Sequence, residues 1–315
     1  MSGFFVGIDT SNYTTSIGIV DEQGNVIANI KKLLHVNDGE CGLRQSDAVF
    51  AHIKNLPDVL AEADSVLADR QVLAVGYSSK PRNVEGSYMP CFLCGVDTAF
   101  AFKAGRGIET FSFSHQCGHI SAALTSSNAW SITESPFIAF HVSGGTTEVL
   151  LCKRNEDGFF TEIVGGTNDL NAGQAIDRVG VMMGMRFPCG VELEKEALKY
   201  SGKVQNVKIS VKDGLCNLSG LENLSAKLYK EHGDKTQTSA FVLSFICKTL
   251  YKMAEDVREK HGHLPIVFGG GVMSNKIIRS KLELLGDVYF AEPSLSADNA
   301  VGIAELARQK YYNDR

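Results

Sequence analysis

The sequence lacks the features that would assign it to a specialised class of protein. No stretch is long and apolar enough to span a membrane, and the N-terminal residues are too few and too poor in basic side chains for a signal peptide. No low-complexity tract occurs, and eight cysteines among 315 residues are too dilute for a disulfide scaffold. These absences predict a cytoplasmic protein with free thiols and no membrane contact.

A large excess of charge of one sign is also missing. Lys and Arg number 31 against 36 Asp and Glu, so the net charge is −5. This balance argues against a protein whose whole surface binds nucleic acid, but a local basic patch or a basic partner could still hold an RNA. The same residues could equally be ordinary surface charges. The candidates for a patch are Lys80, Arg82, Lys103, Arg106, Lys227 and Lys230.

The order of apolar runs and turns predicts an α/β fold in which one pattern occurs twice. Residues 4–33 predict a three-stranded β-meander, which is followed by helix, strand, helix, strand and helix. A second meander is predicted from Phe137 onward. Residues 201–222 predict only a short strand near 207–211. The later predicted elements are strands over 137–142, 147–153, 159–164, 265–268 and 288–291 and helices over 171–184 and 236–261.

This repetition predicts two lobes, each a mixed sheet flanked by helices. The lobes are expected to span residues 1–132 and 133–315, and the last helix could pack back on the first lobe. At 315 residues the chain is long enough for two domains with buried cores. A cleft bounded by the lobes is the expected ligand site.

The sequence PFIAFHVSGGTTEV predicts a buried strand, a glycine turn and a returning strand. Gly144 and Gly145 let backbone N–H groups converge on a phosphate, and Ser143, Thr146 and Thr147 add hydroxyl donors. An ordinary glycine-rich hairpin is the alternative interpretation.

The N-terminus repeats this pattern, since a strand ending at Asp9 leads into Thr10 and Ser11 and then returns. A further glycine-rich junction, which contains Gly270 and Gly271, links a buried strand to a helix and allows close approach of a flat ligand or a phosphate. Together these turns predict a duplicated nucleotide-binding fold.

His115 and His119 lie four residues apart on a predicted helix, so both imidazoles could reach one ion. Two surface or core histidines are the alternative. A zinc-peptidase helix is excluded because Gln116 stands where that chemistry needs a glutamate. Asp298, expected at the N-cap of the last helix, is the natural third ligand or else only a cap. Such a set suits iron, zinc, manganese or magnesium and leaves positions open for water or phosphate oxygens.

Cys91 and Cys94 are the one cysteine pair with redox or metal-binding spacing. No second pair matches them, and the segment 91–99 is predicted to be helical. Buried packing therefore competes with a metal or redox role.

Several motifs, taken in order, resemble the TsaD family, the tRNA threonylcarbamoyladenosine synthase components of the actin/Hsp70/sugar-kinase (ASKHA) superfamily. The resemblance covers nearly the whole chain and implies a two-lobed actin-like fold. The motifs that carry it are GIDTSNYTTS, SHQCGHISAAL, HVSGGTTEV, GTNDLNAGQAIDRVG with FPCG, NLSGLENLSAKL, FGGGVMSNKIIRSKL and SADNAVGIA.

The resemblance also implies roles for individual residues. His115, His119 and Asp298 would be the ligands of one divalent metal. A second set would hold an ATP- or AMP-type nucleotide and its carbamoyl adduct. Its members are Val142, Ser143, Gly144, Gly145, Thr146, Asp177, Gly190 and Asn275.

The chain departs from the family pattern near the acyl part of this implied site. Asn12, Tyr13 and Thr14 replace a Cys-Asp-Glu sequence, so two acidic groups are lost. These departures indicate a divergent paralogue. Further replacements are Thr146 for histidine, Leu170 for aspartate, Gln174 for glutamate and Glu222 for lysine.

The function implied by the resemblance is transfer of a threonylcarbamoyl group from threonylcarbamoyl-adenylate to the adenosine next to the anticodon of tRNA, with assistance from the metal. One alternative is a carbamoyl- or acyl-adenylate transferase with a small-molecule acceptor. Another is a non-catalytic nucleotide-binding partner of an authentic TsaD. The resemblance also implies helper proteins, because a separate synthase makes the adenylate and related bacterial enzymes work with a smaller paralogue.

Overall fold

The structure is a computed structural model that describes residues 3–11, 13–35, 43–68 and 70–315. Asn12, one of the departures from the family pattern, and Cys41 lie outside the described residues. The chain divides into two units. The first contains Met1–Trp130, Arg154–Phe160 and Ala297–Arg315, and the second contains Ser131–Lys153 and Thr161–Ser296.

The strands and helices follow one another in an order close to the predicted one. The strands are β1 (Phe4–Asp9), β2 (Thr14–Asp21), β3 (Val26–Leu33), β4 (Val72–Lys80), β5 (Glu109–Ser114), β6 (Phe137–Val142), β7 (Thr147–Asn155), β8 (Gly158–Thr167), β9 (Ser210–Lys212), β10 (Leu215–Asn217), β11 (Ile266–Gly269) and β12 (Val288–Phe290). The helices are α1 (Gln45–Leu67), α2 (Phe92–Arg106), α3 (His115–Ser126), α4 (Ala172–Met182), α5 (Gly190–Ala197), α6 (Gly220–His232), α7 (Lys235–His261), α8 (Lys276–Leu282), α9 (Pro293–Ser296) and α10 (Val301–Asn313).

The sheet of the first unit has the order β3-β2-β1-β4-β5 in the described residues. β1, β2 and β3 pair antiparallel, whereas β4 runs parallel to both β1 and β5. On one face, apolar side chains of β1 and β2 pack against α1 and α2. On the other face, α10 lies so close that a Cβ at Gly7 would be 2.1 Å from Ala300 O.

The sheet of the second unit has the order β12-β11-β6-β7-β8-β10-β9. Five of its strands repeat the order of the first sheet. β6 takes the central place of β1, with β7 and β8 on one side and the parallel strands β11 and β12 on the other. The long helix α7 supplies much of the core, with Phe241, Phe245 and Leu250 buried. The predicted fold of two mixed sheets, each opening with a β-meander, is confirmed.

The segment 201–222 differs most from its prediction. Besides the strand at Ser210–Lys212 it contains β10, which pairs parallel with β8 through Leu215 and Gly166, and it leads into α6. Strands of three residues are too short to show a periodic pattern in the sequence. None of the helices in the described ranges combines the length and the apolar character needed to cross a bilayer.

Candidate functional site

Three side-chain atoms of the first unit converge next to the end of β5. His115 Nε2 lies 2.9 Å from His119 Nε2, and Asp298 Oδ1 lies 3.3 Å from His119 Nε2 and 3.7 Å from His115 Nε2. Metal–ligand bonds of about 2.0–2.2 Å put neighbouring ligand atoms of one ion roughly 3.0–3.5 Å apart. The three atoms therefore fit a single divalent ion, and the partial exposure of the side chains leaves room for further ligands.

The start of α3 fixes the two histidines. β5 ends at Ser114, whose Oγ accepts a hydrogen bond from Cys117 N at 3.3 Å and caps the helix. His115 is therefore the first helical residue, and the spacing of four turns both imidazoles to the same side. The Phe92 ring meets the His115 ring edge to face, with 6.1 Å between centroids, which restricts its rotation.

Asp298 does not have the capping position that the sequence predicted. α10 begins at Val301, and the side chain of Asn299 accepts the hydrogen bond from Val301 N at 3.0 Å. The N-cap prediction for Asp298 is wrong because its neighbour makes this contact. α10 also lies very close to α3, since a Cβ at Gly302 would be 1.9 Å from Gly118 O. This close packing brings the Asp298 carboxylate to the histidines.

Asp9, at the end of β1, holds His115 from the side opposite the convergence point. Asp9 is buried, and its Oδ2 accepts a hydrogen bond from His115 Nδ1 at 2.8 Å. Ser78 Oγ donates to the same oxygen, and Ser11 N donates to the other at 2.8 Å. Because Nδ1 carries the donated proton, Nε2 is the nitrogen presented to an ion. Carboxylates orient metal-binding histidines in this way.

The charges of this cluster stabilise one another. Burial acts to raise the pKa of Asp9, but the charge of His115 and the hydrogen bonds from Ser11 and Ser78 outweigh it and hold that pKa below its usual value. Burial acts to lower the pKa of His115, but Asp9 and Asp298 raise it to about 9. An ion that binds His115 must displace a proton, so binding weakens at low pH.

Lys31 belongs to this cluster but was not found from the sequence. Asp9 is paired with Ser16, and Ser16 is paired with Lys31, so the three side chains lie on one face of the sheet. Burial lowers the pKa of Lys31, and the charge of Asp298 partly offsets this effect. Its position is set by the register of three strands, for which the sequence gives no direct signal.

The predicted phosphate-loop residues Thr10 and Ser11 are buried in the first unit. Thr10 Oγ1 donates to Cys91 O at 2.9 Å and accepts from Gly95 N at 3.1 Å, so it joins the turn to the start of α2. Ser11 Oγ is buried without a hydrogen-bond partner among the described residues. Both hydroxyl groups therefore lie inside the first unit, away from its surface.

The turn after β6 lies in the second unit and is open. Ser143 N donates to Thr146 O at 2.8 Å, and Ser143 Oγ accepts from Gly145 N at 3.3 Å and from Thr146 N at 3.1 Å. Gly144 and Gly145 are exposed, and no atom lies within 4 Å of the position that a Cβ would occupy at either residue. A ligand can therefore approach the backbone of this turn directly.

A glycine junction and the start of α4 support this turn. Gly173 N donates to Ser143 O at 3.1 Å. Gly270 has a φ of 97°, and a Cβ there would lie 2.3 Å from Val142 O, so only glycine lets the junction pass the end of β6. Gly271 faces open space. The turn and the junction thus meet at the carboxyl ends of the parallel strands β6 and β11, where open α/β sheets bind ligands.

The other predicted nucleotide residues lie on neighbouring helices. Asp177 Oδ1 accepts a hydrogen bond from Cys189 N at 2.8 Å, and burial raises the pKa of Asp177. This contact fixes the residue before Gly190, which faces open space. Asn275 Oδ1 accepts from Ile278 N at 3.0 Å and caps α8, so its side chain already has a structural role.

Three of the residues that depart from the family pattern have defined places in the second unit. Glu222 forms an ion pair with Arg178 at 3.3 Å on the surface. Gln174 completes a capping box with Asn171 at the start of α4. Leu170 is buried in the apolar core. The replacements are therefore accommodated by the fold.

The Cys91–Cys94 pair is buried at the start of α2, and all seven cysteines in the described residues are free thiols. Burial raises the pKa of Cys94, and the nearby thiol of Cys91 and the charge of Asp97 add to this effect. A thiol with a raised pKa is a poor nucleophile and metal ligand at neutral pH. The structure therefore favours packing over a metal or redox role for this pair.

A sequence model of one family covers most of the chain. The TsaD family, described as tRNA N6-adenosine threonylcarbamoyltransferase, matches residues 25–305, a range that includes both histidines, Asp298 and the glycine turn. The chain belongs to the TsaD family. Membership places it among transferases of tRNA modification. Asp9 lies outside the matched range.

Solved structures agree on the fold at low sequence identity. HypF from T. kodakarensis superposes with a TM-score of 0.62 at 12% identity, covering 99% of this chain and 48% of that chain. A ROK family glucokinase from Streptomyces griseus, in complex with glucose and AMPPNP, gives 0.55 at 13%, covering 98% and 100%. The activator of the 2-hydroxyisocaproyl-CoA dehydratase from Clostridium difficile, with bound ADPNP, gives 0.53 at 13%, covering 100% and 97%. The fold is that of the actin/Hsp70/sugar-kinase superfamily, as predicted.

Proposed function

We propose that the chain transfers a threonylcarbamoyl group from threonylcarbamoyl-adenylate to N6 of the adenosine next to the anticodon of tRNA. The main support is the convergence of His115 Nε2, His119 Nε2 and Asp298 Oδ1 in a chain of this family. In the reaction the amine forms a bond to the carbamoyl carbon, and the bond from that carbon to the phosphate oxygen breaks. AMP leaves, and the amine proton passes to solvent.

The metal-binding residues would be His115, His119 and Asp298, which suit iron, zinc, manganese or magnesium. A bound ion would supply positive charge for oxygen atoms that become more negative during transfer. Asp9 would keep Nε2 of His115 presented to that ion. Lys31 would add a second cation on the same face of the sheet.

The residues of the second unit would bind the nucleotide. The backbone of Gly144 and Gly145 is open to a phosphate, and the hydroxyl groups of Ser143 and Thr146 can donate to it. Asp177, whose pKa is raised by burial, accepts a hydrogen bond from Cys189 N next to Gly190 and would help to position the ribose or the acyl group.

The decisive experiment supplies threonylcarbamoyl-adenylate, a divalent metal, unmodified tRNA and the helper proteins of the host. Modified nucleoside is then measured by mass spectrometry. We expect product with the parent chain and none with His119→Ala. His263→Ala changes an exposed histidine of the second unit and should leave the product unchanged.

The other outcomes assign the alternatives. Consumption of the adenylate without modified nucleoside would favour a small-molecule acceptor, a candidate supported by the Glu222–Arg178 ion pair at a position where the family has lysine. If the adenylate is neither bound nor consumed, the chain is a non-catalytic partner and the proposed reaction is wrong.

A further inference from the structure

A groove in the second unit is lined by residues that have no role in the proposed reaction. Its volume is about 740 Å³, within the roughly 300–1,000 Å³ of small-molecule sites. α7 lines it from Ala240 to Glu255, with Ala240, Ser244, Cys247 and Tyr251 on the floor at helical spacing. At about 1.5 Å per residue, this stretch of α7 is about 22 Å long. The groove therefore suits an elongated ligand.

The walls of the groove are apolar and recessed. Val204, Val207 and Ile209 come from the segment after α5, and Ile277 comes from α8. These four side chains are half-buried, so they line a recess that stays partly open to solvent. An apolar recess of this length accommodates a single aliphatic chain.

The rim of the groove is cationic. Four lysines contribute to it, namely Lys208, Lys248, Lys252 and Lys281, against the single carboxylate of Glu255. This concentration of positive charge stands out in a chain whose net charge is −5. Apolar walls below an ammonium rim complement a ligand with an aliphatic body and a negative head group.

Two of these lysines already have partners. Lys248 Nζ donates to Asn206 Oδ1 at 2.7 Å, and Lys252 Nζ lies 2.9 Å from an oxygen of Asp256. The other two are exposed and form no ion pair with a carboxylate in the part of the chain that the structure describes. Their charge is therefore available to a ligand.

We propose that this groove binds a single-chain amphiphilic anion of the fatty-acid type. The aliphatic chain lies along α7, and the carboxylate lies among the lysines of the rim. Burial of the methylene groups supplies the affinity, and the ammonium groups select for negative charge. Binding at this groove is independent of the transfer reaction.

Calorimetric titration with hexadecanoate below its micelle concentration, together with displacement of fluorescent cis-parinarate, tests the proposal. We expect saturable binding at one site per chain. Ser244→Trp fills the middle of the floor and should abolish this binding. Lys208→Glu combined with Lys281→Glu should weaken binding about tenfold or more. The matched control is Lys260→Glu, at the end of α7 and outside the groove, which should leave binding unchanged.

Thermal unfolding shows whether each variant is folded. If Ser244→Trp fails to fold, the double variant Lys208→Glu/Lys281→Glu, which changes exposed residues, still tests the proposal. Absence of saturable binding by the parent would overturn the proposal. The same follows if Lys260→Glu weakens binding as much as the double variant, or if dodecylamine binds as tightly as dodecanoate. Displacement of cis-parinarate by an acidic amphipathic peptide, without binding of hexadecanoate, would make the groove a protein-docking site instead.

Discussion

The two units share one strand order but use the corresponding turns differently. Each sheet opens with a β-meander and adds two parallel strands, so β6 corresponds to β1. The turn after β1 is buried, and Thr10 bonds to the start of α2. The turn after β6 is open at Gly144 and Gly145. A repeated pattern in the sequence therefore predicts a repeated fold but not a repeated ligand site.

The side chains at the end of the first strand account for the difference. In the first unit a carboxylate, Asp9, stands there, and a buried carboxylate needs hydrogen-bond partners and a cation, which Ser78 and His115 supply. In the second unit an apolar residue, Val142, is followed by a hydroxyl and two glycines that need no such partners. The first unit thus presents ligands for a cation, and the second presents backbone donors for an anion.

The largest expected effect comes from crowding the first unit. Gly302→Ala would place a Cβ 1.9 Å from Gly118 O, where α10 packs on α3, and should lower the free energy of unfolding by about 3 kcal/mol or more. In the second unit, a Cβ at Gly271 would face open space, so Gly271→Ala should change the free energy of unfolding by no more than about 0.5 kcal/mol. Urea denaturation measures both variants. Equal stabilities would contradict the assigned helix packing.

Nucleotide binding tests which of the two turns is a ligand site. ATP, ADP or AMP at roughly a hundred times the dissociation constant should stabilise the parent by about 2.7 kcal/mol, seen as a rise in Tm. Gly145→Val fills the space beside the open turn and should remove this rise. Ser11→Ala, in the buried turn, is the matched control and should retain the rise in Tm. If Ser11→Ala removes the rise and Gly145→Val retains it, the assignment of the two turns is reversed.

Much of the fold was predictable because its signals are local. α7 is long, and a helix over 236–261 was predicted for it; Phe241, Phe245 and Leu250, at helical spacing, form its buried side. By contrast, β10 forms because it pairs with β8, and a three-residue sequence pattern does not predict such a pairing. Short elements of this kind depend on tertiary contacts that a single sequence does not display.

The candidate site was predictable to a similar extent. The spacing of His115 and His119 and the family motifs selected the residues that the structure brings together. The role of Asp9 was missed because an aspartate at a strand end also suits a phosphate loop. The capping contact was assigned to Asp298 rather than Asn299 because adjacent Asp and Asn are both good caps.

Metal binding should depend on the buried carboxylate of the first unit. We expect one divalent ion per chain by metal analysis of the purified protein. Asp9→Asn should weaken metal binding about 10- to 100-fold, measured by competition with a chelator, because His115 loses the group that orients it. Asp177→Asn changes a partly buried carboxylate of the second unit and should leave the affinity unchanged. Two results together would make the convergence a structural coincidence. The purified parent would contain no metal, and the His115→Ala/His119→Ala variant would have the same Tm as the parent with every metal tested.

Acid should weaken the polar interior of the first unit. His52 is buried on α1, with Nδ1 2.8 Å from Thr15 Oγ1 and with Nε2 unpartnered within the described ranges. Burial lowers the pKa of His52 to about 4, although the charge of Asp9 acts to raise it. The unfolded chain, with a pKa of about 6.5, binds the proton more tightly, so stability falls as the pH drops from about 6.5 through 4.

This difference predicts a loss of about 2 kcal/mol between pH 7 and 5 from His52 alone. Urea midpoints of the parent and of His52→Gln at the two pH values measure it, and the variant should show the smaller change. The matched control, His232→Gln at an exposed position of the second unit, should retain the pH dependence of the parent. An equal pH dependence in parent and His52→Gln would show that other groups control acid sensitivity.

The smallest expected effect is on tRNA binding by the chain alone. Lys103 and Arg106 lie exposed in the last turn of α2, whereas Lys227 of the second unit already lies 4.0 Å from Glu231. With a net charge of −5, we expect weak binding that is lost as salt rises from about 50 to 200 mM, and useful affinity only with a helper protein. Fluorescence anisotropy of labelled tRNA gives the slope of log K against log salt. Lys103→Ala with Arg106→Ala should reduce this slope by about 2, because each phosphate contact contributes about 0.9, and Lys227→Ala should reduce it by less. A slope that responds only to Lys227→Ala would place the RNA contact on the second unit.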